Sequence, residues 1–243
     1  MREIVLDTET TGFDPEQGDR LVEIGALELM NHMPTGRTFH QYFNPERDMP
    51  QGAFDVHGIG PDILTPPRAA NPGEVTLKDK PLFRAHAQRF LDFIGDARLV
   101  IHNAKFDLMF LNAELGWLGL QPIAWDRAID TLEIARRKFP GSPASLDALC
   151  RRFGVDNSTR TLHGALLDSE ILAEVYLELI GGRQPDFGFS VAQTATRPGE
   201  TVEEWRPGPR PRPLPSLLTD EEVRAHDKFV AGLGETALWR RLN

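Results

Sequence analysis

The sequence predicts an α/β fold, a mixed sheet flanked by helices. Two observations carry this. Three strand-like segments come first, close together, and segments that alternate between helical and strand-like patterns follow them. Strands joined by short loops favour antiparallel pairing, and strand–helix alternation favours a sheet covered by helices. The 243 residues suffice for one substantial domain and an appendage.

Glu3–Asp7 reads as a buried strand, and Leu21–Met30 and Arg37–Asn44 as two more, completing an antiparallel meander. A helical stretch follows over Leu82–Ile94. Next come a short strand, Leu99–His102, and a helix from Ala104 to Leu115. Trp125–Asp130 reads as another strand end. Helices are expected at Thr131–Lys138, Ser145–Phe153 and Ala165–Ile180. In the last, Leu166, Leu167, Ile171, Leu172, Val175 and Leu179 recur at helical spacing and mark a core face. Gly181-Gly182 stops it.

The composition is that of a soluble protein, 40% hydrophobic and 26% charged, and no run of 18 apolar residues suggests a membrane span. Absence of a signal-peptide pattern and a single cysteine, Cys150, point to a reducing cytoplasm. Cys150 lies in an amphipathic segment and reads as a buried structural thiol. The net charge is −9, and residues 183–243 hold 9 basic and 9 acidic residues, so the whole excess lies in residues 1–182. Weak intrinsic grip on a polyanion follows, unless bound cations or a partner offset it.

Three segments bear chemistry. Asp7 and Glu9 are two apart, so on a strand they share a face. Asp107 falls in the first turn of a helix, behind His102 and Asn103 at a strand's C-terminal end, where a phosphate or ion-bound water is commonly held. His163 ends a loop, and Asp168 sits on the helix after it. A histidine can take a proton from water, and oxygen-rich carboxylate sets select hard cations such as Mg²⁺ or Mn²⁺. Each segment alone also fits a bland role: a solvated strand end, a helix-capping acid, a surface histidine.

Together they resemble the DEDD exonucleases whose third motif is His-x4-Asp (DEDDh), and among them the proofreading subunits of bacterial replicative polymerases. The resemblance covers roughly residues 3–182. It rests on Asp7-Thr8-Glu9-Thr10-Thr11-Gly12, Val56-His57-Gly58-Ile59, His102-Asn103-Ala104-Lys105-Phe106-Asp107, Ser145-Leu146-Asp147-Ala148-Leu149-Cys150 and Arg160-Thr161-Leu162-His163-Gly164-Ala165-Leu166-Leu167-Asp168. It implies an RNase H-like five-stranded sheet, three strands antiparallel and then two parallel. It also implies two Mg²⁺ or Mn²⁺ ions about 3.5–4 Å apart, one lowering the pKa of the attacking water and one stabilising the leaving 3′ oxygen. Asp7, Glu9, Asp107 and Asp168 are the implied metal ligands, with Asp7 bridging and Asp107 helping to position the second ion. His163 is the implied general base, and 5′-mononucleotides leave from a frayed DNA 3′ end. The implied substrate contacts are Asp7, Thr8, Glu9, Val56, His57, His102, Asn103, Phe106 and Asp168; Val56 and Phe106 would otherwise read as core. One departure is Gly52, where the family often has an acid.

The chain then divides into 1–182, the nuclease domain; 183–215; and 216–243. Six prolines in 198–215 make an extended linker. Before it, Gln184-Pro185-Asp186-Phe187-Gly188-Phe189 resembles peptides that dock on the sliding clamp, with Gln184, Phe187 and Phe189 as anchors. Thr219-Asp220-Glu221-Glu222 has capping-box form, and Val223, His226, Phe229, Val230 and Leu233 line one face behind it, with Trp239 beyond. So short a helix is marginal alone. The resemblance gives it the polymerase's catalytic (alpha) subunit as partner, with a small theta-like subunit a further candidate; packing back on its own domain is the alternative. Two other readings stand beside this: a stand-alone nuclease for RNA or repair-intermediate 3′ ends, and an inactive scaffold.

Overall fold

The computed structural model describes residues 1–158, 160, 162–181 and 218–234. The chain divides into two units, Met1–Phe189 and Ser190–Asn243. The clamp-like peptide with Gln184, Phe187 and Phe189, the proline-rich linker and Trp239 lie outside the described residues.

In the first unit five strands form one sheet: β1 (Arg2–Thr10), β2 (Leu21–Met30), β3 (Met33–Tyr42), β4 (Arg98–Ile101) and β5 (Ala128–Asp130). Their order is β3-β2-β1-β4-β5. The first three are antiparallel, and β1–β4 and β4–β5 are parallel, as the sequence predicts. The helices are α1 (Gln51–His57), α2 (Ala87–Ile94), α3 (Ala104–Trp117), α4 (Thr131–Lys138), α5 (Leu146–Phe153) and α6 (Ala165–Leu179). The second unit contains α7 (Asp220–Gly232).

Alternation along β1 sorts two cores. Ile4 and Leu6 join Phe90, Ile94, Leu108, Phe110 and Leu111 of α2 and α3. Val5, on the opposite face, joins Val100 and the α6 residues Leu172, Ala173 and Tyr176. The outer side of α6 packs Ile171, Val175 and Leu179 against Ala135, Leu149 and the buried Cys150, whose thiol burial pushes up. The sheet is thus a middle layer, and β1 ends between the starts of α3 and α6.

Four expectations need correction. The β2–β3 turn holds only Asn31 and His32, both with positive φ (51° and 65°), so β3 starts at Met33 rather than Arg37 and ends at Tyr42 rather than Asn44. Asn31 tolerates that geometry, but the pair lacks the glycine that usually signals such a hairpin. The stretch 82–94 is two pieces, a 3-10 turn at Phe83–Ala85 and α2, separated at His86. Trp125–Arg127 is a 3-10 turn, leaving Ala128–Asp130 as strand. The short helix α1 was not expected; its segment has Pro50 before it and Gly58 at φ 68° after it. In α7 the expected capping box is present, with Thr219 and Glu222 bonded reciprocally.

Candidate active site

Glu3, Val5, Asp7 and Glu9 lie on the β1 face that meets α6. On β2, Asp7 is opposite Gly25 and Glu9 is opposite Glu23. Helix α6 begins directly on Gly25: a Cβ there would lie 2.1 Å from both the carbonyl carbon of Ala165 and the amide nitrogen of Leu166. Ser169 Oγ donates to the Gly25 carbonyl at 2.9 Å, and the Ala165 amide donates to Glu23 Oε2 at 3.0 Å. This close seat brings Asp168, in the first turn of α6, up to the strand end. Donor atoms of Glu9, His163 and Asp168 all lie within 4.8 Å of one another.

The fourth acid arrives from the other side. Asp107 is buried in the first turn of α3 and accepts a hydrogen bond from Thr8 Oγ1 at 2.8 Å. Asp130 holds the approach to it. Its carboxylate caps α4 through the Leu132 amide (2.9 Å) and also accepts from the amides of Asn103 (3.2 Å) and Ala104 (3.0 Å). Asn103 adopts positive φ (69°) as the chain turns into α3.

So many carboxyls in one place resist ionisation. Burial, then the neighbouring Asp107, Glu9 and Asp168 charges, push Asp7 well up. Burial and then Glu23 push Glu9 well up. Burial raises Asp107 to about 7 despite the Thr8 bond. Asp168 goes the other way: burial pushes it up, but hydrogen bonds from His163 and Arg160 outweigh that and hold it low. Acids in this state fit divalent cations, which would remove the repulsion that raises them.

Arg160 brings a positive charge against Asp168. Its Nε and Nη2 make a two-pronged contact with Asp168 (Nη2–Oδ2 2.7 Å), and its Nη1 reaches Asp147 at 2.7 Å. Its Nη2 also lies 2.8 Å from His163 Nδ1, which in turn is 3.3 Å from Asp168 Oδ2. Unprotonated Nδ1 accepts from Arg160; protonated Nδ1 donates to Asp168. The imidazole therefore has a partner in either state, and its side chain is 49% exposed.

Two cavities flank the acids. One, of about 500 Å³, is lined by Glu9, Gly12, Phe13, Gly52, Val56 and His57 among others; the second, of about 440 Å³, by Asp7, His102, Asn103, Arg136, Arg160, His163 and Asp168 among others. All five acid and imidazole residues singled out from sequence thus converge.

The exonuclease family matches residues 4–72 and 73–176. The DNA polymerase III subunit epsilon of Rickettsia felis is 48% identical over 240 residues, 98% of this chain and 99% of its own length. That of Escherichia coli K12 is 41% identical over 250 residues, 98% of this chain and 97% of its own. The chain belongs to the DNA polymerase III epsilon-subunit family. Among solved structures, Exonuclease X in complex with 5′ overhanging duplex DNA superposes with TM-score 0.51 and 22% identity over 73% of this chain and 90% of its own. E. coli Exonuclease I in complex with a dA16 oligonucleotide superposes with TM-score 0.59 and 18% identity over 74% of this chain and 40% of its own. These two likenesses establish the exonuclease fold.

Within this epsilon-family site the expected substrate residues differ in what they can offer. Val56 is not core: it is 43% exposed on α1 and lines the larger cavity, while its carbonyl accepts from the His163 amide at 3.1 Å. Phe106 is half-buried against the core, 6.5 Å from the ring of Phe13, which is 81% exposed. His57 is buried, with Nε2 at the Thr10 carbonyl and Nδ1 accepting from the Ile59 amide; burial lowers it to about 4. It stays neutral and shapes the cavity wall. His102 is similarly committed, with Nδ1 2.9 Å from Thr131 Oγ1, and burial lowers it. The Thr8 hydroxyl is given to Asp107. At Gly52 a Cβ would meet nothing within 4 Å, so the missing acid leaves open space. The sequence reading did not single out Glu23, Gly25, Asp130 or Arg160 as working parts of the site; the first three act through sheet register and helix caps that join distant segments.

Proposed function

We propose that this site is a divalent-metal-dependent 3′→5′ DNA exonuclease centre, which proofreads as a subunit of DNA polymerase III. The observation that carries the reading is the convergence of Asp7, Glu9, Asp107, Asp168 and His163 from β1, α3 and the start of α6. Asp7, Glu9, Asp107 and Asp168 would hold two Mg²⁺ or Mn²⁺ ions. When bound, the ions supply activation of water and stabilisation of the leaving 3′ oxygen. His163 takes the proton from the attacking water, and Asp168, 3.3 Å from Nδ1, stabilises the imidazolium that forms. Val56, His57 and Phe106 shape the wall against which the terminal nucleoside rests, and Asn103 offers an exposed amide to its phosphate. Cavities of this size suit one unpaired nucleotide. A mispaired terminus unpairs at lower cost, which is the physical basis of proofreading.

The test separates base from ligand. His163→Ala should cut mononucleotide release by about 10²–10⁴-fold while Mn²⁺ binding measured by calorimetry stays near wild type. Full activity in that variant would refute the role of His163.

The same proposal gives the remaining segments to partners. Matches at 98% coverage of this chain extend through most of the tail. Val223 and Phe229 of α7 and Leu233 at its C-cap are exposed apolar side chains, suited to docking on the catalytic (alpha) subunit. Gln184, Phe187 and Phe189 would contact the sliding clamp, and a theta-like subunit would be a further partner. If replacing these three with alanine left clamp affinity unchanged in a titration, the clamp assignment would fall. Among the described residues no helix is long and apolar enough to cross a membrane, and a role as a polymerase subunit would go with a cytoplasmic location.

A further inference from the structure

We infer that Glu23 is a positioning residue of this nuclease: it holds the start of α6, and with it Asp168 and the His163 loop, in register with β1. Glu23 is 1% exposed, yet it stands directly opposite Glu9 in the sheet. Two like charges face to face are unfavourable, so the arrangement needs a counterweight. Two groups provide it. The Ala165 amide, first in α6, donates to Oε2 at 3.0 Å. His40 Nε2 lies 2.7 Å from Oε1. Tyr42, paired with Glu23 across β2 and β3, is pushed up by burial and by the Glu23 charge. Gly164, at the helix N-cap, has no side chain to cap α6, and among the described residues no other side chain caps it. Glu23 therefore does from β2 what a capping residue normally does from its own helix.

The geometry links this cap to the chemistry. One bond away in the same clasp, Ser169 Oγ grips the Gly25 carbonyl at 2.9 Å, and α6 lies directly on Gly25. Asp168 sits between these two anchors. Losing the Glu23 bond frees the first turn of α6 to lift from the sheet, and a displacement near 1 Å at a reacting centre costs about 10²-fold in rate. His40 and Tyr42, on the edge strand β3, brace Glu23 from the far side, their rings 4.9 Å apart.

This inference rests on Asp168 and His163 acting as proposed above. The experiment compares three full-length variants. Glu23→Gln keeps the length, an acceptor oxygen for Ala165 and a donor for His40. Glu23→Asp keeps the charge but is one methylene short of the amide. Glu23→Ala loses both. Measured are kcat and KM on a single-stranded oligonucleotide, and Mn²⁺ affinity by calorimetry without DNA. The expected result is kcat for the Gln variant within about threefold of wild type, and kcat for the Asp variant lower by about 10–10²-fold with KM little changed. Mn²⁺ binding should weaken with kcat. Should the Ala variant fail to fold, the Gln–Asp pair still decides. An Asp variant as active and as tight for Mn²⁺ as wild type, or a Gln variant as impaired as Asp, would overturn the inference. An Asp168→Asn control with unaltered ion affinity would instead overturn the site reading beneath it.

Discussion

Replacing Gly25 by alanine tests how closely the helix seat governs the chemistry. A Cβ at this position would lie 2.1 Å from Ala165 C and Leu166 N, and 2.4 Å from Ala165 O. These are backbone atoms at a helix start, so no rotamer change relieves them. Ordinary contact begins at 3.4 Å, so α6 or β2 must give by 3.4 − 2.1 = 1.3 Å. Overpacking of this kind costs about 1–3 kcal/mol, offset by about 0.4–1 kcal/mol from the stiffer unfolded chain. For a domain of this size that lowers Tm by a few degrees, at about 2–4 °C per kcal/mol. Asp168 rides on the first turn of α6, so the same shift should slow nucleotide release by about 10²-fold. The assay is release from a 3′-labelled oligonucleotide at saturating Mg²⁺, alongside a thermal melt. Gly116→Ala is the control, since a Cβ there meets nothing within 4 Å. A Gly25→Ala protein with wild-type rate and Tm would refute the reasoning.

Three further outcomes follow from the electrostatics and the tail. Thr8→Val removes the hydrogen bond that lowers Asp107, so in ion-free protein this carboxyl should titrate at higher pH, followed by NMR of its side-chain carbon; an unshifted titration would count against this. Asp107 is raised above its unfolded value, so ion-free protein should lose stability as pH rises from about 4 towards 7. Mg²⁺ or Mn²⁺ should accordingly raise Tm more at pH 8 than at pH 5, and equal shifts would contradict it. Deleting residues 216–243 should abolish co-purification with the catalytic (alpha) subunit while sparing nuclease activity; retained co-purification would remove the tail's assigned role.

Much of this site was legible in sequence because its reactive side chains sit in short contiguous motifs. Asp7 and Glu9 need only strand alternation to share a face, and Asp107 and Asp168 need only to fall in first turns of helices. What holds them together was less legible. Glu23 reads as an ordinary acid in a strand, and only the β1–β2 register puts it opposite Glu9. Asp130 reads as the last residue of a strand, and only the parallel β4–β5 pairing lets it bind Asn103 and Ala104 while capping α4. Val56 reads as core, yet α1 turns it to the cavity. The extent of β3 was misjudged because a two-residue Asn31-His32 turn carries no glycine. Long-range pairing, invisible to local pattern, decides the roles of Glu23 and Asp130.

The central claim is that these five residues make the chain a 3′-end nuclease. The most direct measurement uses primers labelled at either end, with a matched or mismatched 3′ terminus, in Mg²⁺ and in chelator. The account predicts 5′-mononucleotides from the 3′ end only, faster from the mismatch, and none in chelator or with Asp168→Asn. Release from the 5′ end, or undiminished release in chelator, would contradict it.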